Sequence, residues 1–126
     1  LKNSILLGEK NNLEDIITSF NLLAVTSRSE GFPNVLGEAM SLKVPCVVTD
    51  VGDCKFIIGN SGIVVKTFDP NDIANAIEKI YKMPLKNKLK MGVKGRERIK
   101  SKFNIEKIVT DYESLIMSIT NGSIQK

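Results

Sequence analysis

The sequence predicts an α/β fold of the three-layer, Rossmann-like kind, with a short parallel sheet of about four strands between helices. Short apolar runs alternate with segments of helical periodicity, the order typical of parallel strands joined by crossover helices. The apolar runs are continuous, which indicates strands buried on both faces. The chain has 126 residues and is 42% hydrophobic and 25% charged, as expected for a single domain over residues 1–126.

Four apolar runs predict the strands. They are SILL, LLAVT, PCVVT and GIVVK, at residues 4–7, 22–26, 45–49 and 62–66. Pro45 begins the third run, where a missing amide hydrogen does least harm to a sheet. The carboxyl ends of parallel strands share one edge of the sheet, and ligands bind beyond that edge in such folds.

Six segments have the spacing of helices, at residues 12–20, 34–42, 53–58, 70–82, 85–103 and 104–119. We expect Asn12 and Asn34 to cap the first two helices. Asp69 followed by Pro70 predicts a capped start with proline in the first turn. The last two segments predict a pair of C-terminal helices over about 85–119.

The composition excludes several kinds of site. The chain has no histidine, so histidine metal ligands and histidine general bases are excluded. Its two cysteines, Cys46 and Cys54, are too few for a disulfide framework. We therefore expect a reduced, cytoplasmic protein that binds no metal.

Basic residues are concentrated near the C-terminus. Residues 79–107 contain eleven Lys or Arg and only two acids, Glu97 and Glu106. A solvated outer face of two helices is the simplest interpretation. A second is peripheral contact with an anionic membrane at its inner face. We expect no nucleic-acid partner, because aromatic residues do not interleave the basic stretch and the chain has no Trp.

The stretch SRSEGFPNVLGEAM, residues 27–40, contains the strongest functional pattern. Glu30 and Glu38 have seven residues between them and flank a turn that enters a helix. The first turn of a helix offers free amides and partial positive charge to an anion. A carboxylate accepts hydroxyl donors well and repels phosphate. The pattern thus predicts a ligand ordered as hydroxyls, diphosphate, hydroxyls, which is the layout of a nucleoside diphosphate sugar.

Other interpretations of these acids remain open. Glu38 could be a structural acid favoured by the helix dipole, and Glu30 could be an ordinary loop acid. A paired-carboxylate hydrolase is conceivable, but it needs no phosphate cradle. A phosphoryl-transfer or metal site at Asp50 and Asp53 is a further interpretation, although we expect these acids to lack a partner lysine or a spaced acidic cluster.

The segments SRSEGFPNVLGEAM, VPCVVTDVG and NSGIVVKTFDPNDIANAIEKI resemble the donor-binding signature of a known enzyme family. That family is the retaining nucleotide-sugar glycosyltransferases of the two-domain GT-B type, family 4, also called glycosyl transferases group 1. The resemblance extends from about Ser4 to Phe103. It implies the C-terminal, donor-binding part of an enzyme of polysaccharide or glycolipid synthesis, with a nucleotide sugar as donor and no bound metal or other cofactor.

The resemblance assigns contacts with the donor sugar to four residues: Glu30, Gly31, Phe32 and Asn34. Glu30 is the implied catalytic residue, which bonds hydroxyls of the sugar and orients it without acting as a nucleophile. The other three flank the sugar through backbone groups.

The resemblance assigns the rest of the donor to neighbouring positions. The amides of Val35 and Leu36 are implied to face the diphosphate, and Glu38 to hold the ribose hydroxyls. Gly8 and Glu9 stand where such enzymes hold the nucleobase.

The sequence also departs from the family pattern. Lys43 stands where a glycine usually ends the helix, so we expect backbone strain or a shifted cap there. Asp53 and Phe56 replace a usual Gly and Glu. The family's N-terminal acceptor domain, and a strand and helix that supply an Arg and a Lys to the diphosphate, are not in this sequence. We therefore expect the isolated chain to be inactive and to bind donor weakly.

Two alternatives to a transferase remain. One is a nucleotide-sugar epimerase of the GT-B type. The other is a non-catalytic binding module whose basic helix pair faces a membrane.

Overall fold

The computed structural model describes residues 3–120 and contains a parallel sheet covered by helices on both faces. The strands are β1 (Leu23–Val25), β2 (Cys46–Thr49) and β3 (Ile63–Val65). The helices are α1 (Leu13–Thr18), α2 (Asn34–Ser41), α3 (Cys54–Ile58), α4 (Pro70–Tyr81), α5 (Leu85–Lys102) and α6 (Ile105–Thr120). None of the helices in this range is long and apolar enough to cross a bilayer.

The three strands lie in sequence order, β1-β2-β3, and both pairings are parallel. Val25 pairs with Val48, and Val48 pairs with Val64, so the strands run in close register. Their carboxyl ends therefore lie along one edge, and the loops that begin at residues 26, 50 and 66 leave the sheet side by side.

Side chains alternate between the two faces of the sheet, which creates two apolar clusters. On one face, Cys46 and Val48 pack with buried residues of α1, α2 and α3, among them Ile17, Leu36 and Ile57. On the other face, Val47 and Val65 pack with two buried residues of α4, Ala76 and Ile80. This arrangement confirms the predicted three layers.

The helix starts agree only partly with the sequence prediction. α4 begins as expected, since the Asp69 carboxylate accepts a hydrogen bond from the Asn71 amide at 2.7 Å. Asn12 occupies the cap position of α1, but its side chain makes no capping bond. The prediction that Asn34 caps α2 is wrong: Pro33 is the cap residue and Asn34 already has helical geometry. Proline fixes its own backbone angle and needs no amide partner, which favours this earlier start.

The predicted strand at residues 4–7 is also wrong, so the described sheet has three strands and not about four. Ile5 and Leu6 are exposed, with relative accessibilities of 84% and 99%. No strand within residues 3–120 pairs with this segment. An apolar run becomes a buried strand only where another backbone completes its hydrogen bonds and another layer covers its side chains.

Lys43 confirms the expectation of strain at the end of α2. Its φ is 63°, and it has the only positive φ among the non-glycine residues that the structure describes. The Lys43 amide donates to the Met40 carbonyl at 3.0 Å, and the Val44 amide donates to the Ala39 carbonyl at 2.9 Å. These bonds close the helix end with a lysine in a conformation that glycine adopts more easily.

Candidate functional site

The loops that follow β1 and β2 are bonded to each other at the carboxyl edge of the sheet. The Thr49 hydroxyl donates to the Ser27 carbonyl at 2.7 Å. Further along, the Asp53 amide donates to the Gly31 carbonyl at 3.0 Å. Residues 27–31, which carry the first predicted acid, therefore rest on the end of the central strand.

Glu30 is half-buried within this junction. Its Oε1 atom accepts a hydrogen bond from the Ser27 hydroxyl at 2.5 Å. Neither Glu30 nor Glu38 forms an ion pair within residues 3–120. The Glu30 carboxylate is thus oriented by a neutral donor, which leaves its charge and its second oxygen available.

The start of α2 presents two backbone amides without acceptors. No hydrogen-bond acceptor for the Asn34 and Val35 amides is found within the described residues. The Leu36 amide donates instead to the Pro33 carbonyl at 3.1 Å, and the Leu36 side chain is fully buried. Val35 and Leu36 were predicted to face a diphosphate, and of these two only Val35 has an amide without an acceptor within residues 3–120. The Asn34 amide is a second such donor at the same helix start.

A cleft of about 710 Å³ lies beside the first two turns of α2. It brings together three of the predicted site residues: Phe32, Asn34 and Glu38. Its opposite side is formed by residues 11–15, at the start of α1, and its apolar part includes Ile99 and Phe103. Glu30, Gly31, Val35 and Leu36 do not line this cleft. The two glutamates therefore serve different parts of the surface, with Glu38 in the cleft and Glu30 at the loop junction.

The residues that sequence analysis proposed for a nucleobase lie outside this cleft. Gly8 and Glu9 are exposed and do not line it, whereas Asn11 and Asn12 do. Sequence reasoning missed these two asparagines as site residues. Amide side chains suit the polar edge of a base, but the sequence carries no signal for their position, because the packing of α1 beside α2 brings them to the cleft.

An aromatic cluster supports the rim of the cleft. The rings of Phe32 and Phe103 meet edge to face with centroids 5.8 Å apart, and Phe56 meets Phe103 at 5.6 Å. Such contacts restrain ring orientation. Phe56 stands where the resembling family usually has a Glu, and here its ring packs against Phe103 at the rim of the cleft.

Arg28 is a further residue that sequence reasoning did not single out. Its guanidinium lies 6.0 Å from the centre of the Phe68 ring, in the loop that follows β3. This contact joins the β1 and β3 loops by a cation–π interaction. Its signal in the sequence was a cation two residues before Glu30, in the loop that follows a predicted strand.

Cys54, at the start of α3, and Asp50, directly after β2, lie near the junction, whereas Cys46 begins β2 at the opposite edge of the sheet. Burial, and then the negative charge of Glu30, raise the pKa of the Cys54 thiol. Burial raises the pKa of Cys46 to about 12. Asp50 pairs with Lys55 at 3.3 Å, so the expectation that Asp50 lacks a partner lysine is wrong. Within residues 3–120, no three His, Cys, Asp or Glu side chains are grouped so that they could hold a metal ion.

Comparisons with known proteins identify the family and the fold of the chain. The family model described as "Glycosyl transferases group 1" matches residues 1–83. Among solved structures, sucrose-phosphate synthase from Thermosynechococcus elongatus superposes with a TM-score of 0.74 and 30% identity, over 85% of this chain and 27% of that one. The fold is therefore similar to part of a GT-B glycosyltransferase.

Two curated relatives show the same partial coverage. N-acetyl-alpha-D-glucosaminyl L-malate synthase from Bacillus anthracis is 30% identical over 95% of this chain and 33% of its own length. The capsular polysaccharide biosynthesis glycosyltransferase CapM from Staphylococcus aureus is 30% identical over 90% of this chain and 30% of its own length. The chain thus spans about a third of the length of these relatives.

Proposed function

The chain belongs to the glycosyl transferases group 1 family, and on that premise we propose that it is the donor-binding portion of a retaining, nucleotide-sugar-dependent glycosyltransferase. The proposal rests on three features near the start of α2. The amides of Asn34 and Val35 have no acceptor in the described residues, the Glu38 carboxylate lies in the cleft, and the Glu30 carboxylate lies at the loop junction. This arrangement matches a ligand with a central diphosphate and a hydroxyl-bearing ring on each side.

In the proposed complex, the diphosphate lies at the start of α2. The amides of Asn34 and Val35 donate hydrogen bonds to its oxygens, and the helix dipole stabilises its negative charge. Negative charge grows on the diphosphate as the sugar leaves, so donors already in place stabilise the transition state more than the ground state. The Leu36 amide, bonded to Pro33, contributes only if that bond opens.

The nucleoside half of the donor is proposed to occupy the cleft. Glu38 lies on the wall of the cleft and can accept two hydroxyl hydrogens from a ribose. The base then extends toward Asn11 and Asn12, which line the cleft and offer amide groups. Phe32 and Phe103 provide apolar surface between the two regions.

The sugar is proposed to lie against the β1 loop, where Glu30 bonds its hydroxyls and Gly31 approaches it closely through the backbone. One oxygen of Glu30 is engaged by Ser27, so the other is the acceptor for a sugar hydroxyl. Glu30 is proposed to orient the sugar and not to act as a nucleophile, so retention of the anomeric configuration requires the acceptor to attack from the face that the diphosphate leaves.

Charge indicates that this portion does not act alone. The acids that line the cleft, Glu14, Asp15 and Glu38, outnumber its cations, since no Lys or Arg lines it. Ion pairs are the strong contacts of a phosphate, so a cationic group outside this chain, and an acceptor domain, are proposed to complete the enzyme. Turnover assays on the chain with several nucleotide sugars should show no transfer, and clear transfer would contradict this part of the proposal.

The roles of the two glutamates can be separated by kinetics in the full-length parent enzyme. We expect Glu30→Gln to lower kcat by about 100-fold, because it weakens contacts that orient the reacting sugar. We expect Glu38→Ala to raise the donor KM by about tenfold with a smaller change in kcat, because ribose is bound equally in ground and transition states. Glu113→Gln, on the exposed surface of α6, is the matched control. Equal effects of both variants on kcat alone would contradict the assignment.

A nucleotide-sugar epimerase of the same fold would use the same donor site. Product analysis distinguishes it from a transferase, because an epimerase releases an altered sugar without an acceptor whereas a transferase needs one. The transferase is the preferred proposal, since the relatives described above carry names of synthases and transferases.

A peripheral membrane contact at the cytoplasmic face is a second candidate function, favoured by one surface of α5. Leu85, Leu89 and Val93 form an exposed apolar row on α5, which is flanked by Lys86, Lys90 and Lys94 and has Glu97 near its end. Exposed apolar residues beside lysines suit an anionic bilayer. Vesicles of phosphatidylglycerol should retain the chain more than phosphatidylcholine vesicles do, and exchanging the three lysines for Gln should remove the difference. Equal retention by the two kinds of vesicle would contradict this candidate function.

A further inference from the structure

Two hydroxyl groups connect the central strand to the Glu30 carboxylate. Thr49, the last residue of β2, is 1% exposed, and its hydroxyl donates to the Ser27 carbonyl at 2.7 Å. The Ser27 hydroxyl in turn donates to Glu30 Oε1 at 2.5 Å. A buried residue of the sheet therefore fixes the backbone that carries the only side chain found to bond Glu30 within residues 3–120.

The same loop is held from a second side by the residues that follow β2. The Asp53 amide donates to the Gly31 carbonyl at 3.0 Å. Gly52, with φ +47, lies so close that a Cβ atom there would overlap the Glu30 carbonyl oxygen. The close contact with Gly52 prevents the backbone at residues 30 and 31 from moving toward the loop that follows β2. The hydrogen bond from Asp53 opposes movement away from that loop.

This double attachment restricts a side chain that is otherwise free to rotate. A glutamate has three rotatable side-chain bonds and loses considerable freedom when it is ordered. Once Ser27 engages one oxygen, rotation of the carboxylate is restricted and the second oxygen is held within a narrower range of directions. A group that is already oriented loses less entropy when the sugar binds and holds the reacting geometry more closely.

We propose that Ser27 and Thr49 are positioning residues for Glu30, with Ser27 orienting the carboxylate directly and Thr49 acting through Ser27. The inference rests on the proposed role of Glu30 in holding the donor sugar. Thr49 lies 19 positions beyond Glu30 in the sequence and reaches it only through the parallel pairing of β1 and β2.

The test uses kcat and donor KM in the full-length parent enzyme. Ser27→Ala removes the hydroxyl, and Ser29→Ala, at an exposed neighbour for which no hydrogen bond is found in the described residues, is its control. Thr49→Val removes the hydroxyl and keeps the shape, while Thr49→Ser keeps the hydroxyl. We expect Ser27→Ala and Thr49→Val to lower kcat by about 10- to 100-fold with little change in KM. We expect Ser29→Ala and Thr49→Ser to remain within about threefold of wild type.

A Glu30→Ala background separates positioning from general structural damage. If the two hydroxyls act through Glu30, adding Ser27→Ala to Glu30→Ala should cause almost no further loss. A full additional loss would mean that Ser27 acts by another route and would overturn the inference. Ser27 is only partly buried, so this arm remains decisive even if Thr49→Val fails to fold.

The outcomes distinguish the inference from the function on which it rests. If Glu30→Ala leaves turnover unchanged, the proposed role of Glu30 fails and the positioning roles fail with it. If Glu30→Ala lowers turnover while Ser27→Ala and Thr49→Val match wild type, Glu30 keeps its role and the positioning inference is overturned.

Discussion

The two C-terminal helices differ in a way that their composition does not suggest. α5 is the more polar helix and carries most of the basic cluster, yet two of its residues, Gly92 and Gly95, are buried. α6 has an extended apolar stripe but no buried residue. Thus the helix with less apolar surface is the better packed of the two.

The packing of α5 depends on small and cationic residues. Gly92 lies directly against the Lys43 carbonyl, at the strained end of α2. Arg96 donates to the Ser41 carbonyl at 3.0 Å, and Arg98 donates to the Ile57 carbonyl at 2.8 Å. The last carbonyls of α2 and α3 lack partners within their own helices, so the two arginines supply the missing hydrogen bonds. Their positive charges also interact favourably with the negative ends of the helix dipoles.

The apolar stripe of α6 has no such partners in the described structure. Its exposed residues include Ile105, Tyr112, Leu115, Ile116 and Ile119. Periodicity correctly predicted that this segment is a helix, but periodicity says nothing about which surface covers the stripe. The comparison teaches that contacts made by individual residues, more than apolar content, determine which helix joins the core.

The largest expected effect comes from Gly92→Ala. A methyl group there would overlap the Lys43 carbonyl oxygen, and this backbone cannot yield without moving the end of α2. We expect a loss of at least about 2 kcal/mol in unfolding free energy, measured by urea denaturation of the chain.

Gly95→Ala is the matched control for that loss. A methyl group at this position would meet the Met40 side chain at 3.7 Å, an ordinary contact. Alanine is favoured over glycine inside a helix by up to about 1 kcal/mol, so this variant should be neutral or stabilising. If both variants destabilise equally, α5 does not pack on α2 as described.

An intermediate effect is expected from Arg98→Ala. Arg98 donates to the carbonyls of Ile57 and Phe56, and the side chain is partly buried. We expect its loss to cost about 1 to 2 kcal/mol, since bonds from a charged donor to otherwise unpaired carbonyls are among the stronger ones. Lys102→Ala, at an exposed position on the same helix, should change stability by less than about 0.5 kcal/mol. An equal response would show that Arg98 contributes only as a surface charge.

Local sequence signals predicted much of this fold. Three of the predicted strands, at 22–26, 45–49 and 62–66, agree with β1, β2 and β3 to within one residue at each end. α4 was predicted from its Asp69–Pro70 start. The failures have tertiary causes, because the run at 4–7 lacks a partner strand and Asn34 is displaced as cap by Pro33.

The candidate site was predictable in its residue types but not in its contacts. The pattern around Glu30 and Glu38 indicated an anion site flanked by acids from chemistry alone. The bond from Thr49 to the Ser27 carbonyl depends on the register of two strands, and the cleft depends on how α1 packs beside α2. The spacing of neighbouring residues encodes neither the hydrogen bond nor the cleft, so only the three-dimensional structure reveals them.

The smallest effect should follow from removing α6, and it is the most direct test of the comparison. A chain that ends at Phe103 keeps the contacts of this ring with Phe32 and Phe56 and, of the described helices, loses one that has no buried side chain. We expect its unfolding free energy to stay within about 0.5 kcal/mol of the full chain, as for changes to exposed surface. Far-UV circular dichroism should nevertheless lose the signal of the 16 helical residues of α6.

A chain that ends at Pro84 also loses α5, with Gly92, Arg96 and Arg98, and should lose cooperative unfolding. If ending at Phe103 were as damaging as ending at Pro84, the apolar stripe of α6 would have to be covered by the rest of the chain, and the contrast between the two helices would not hold.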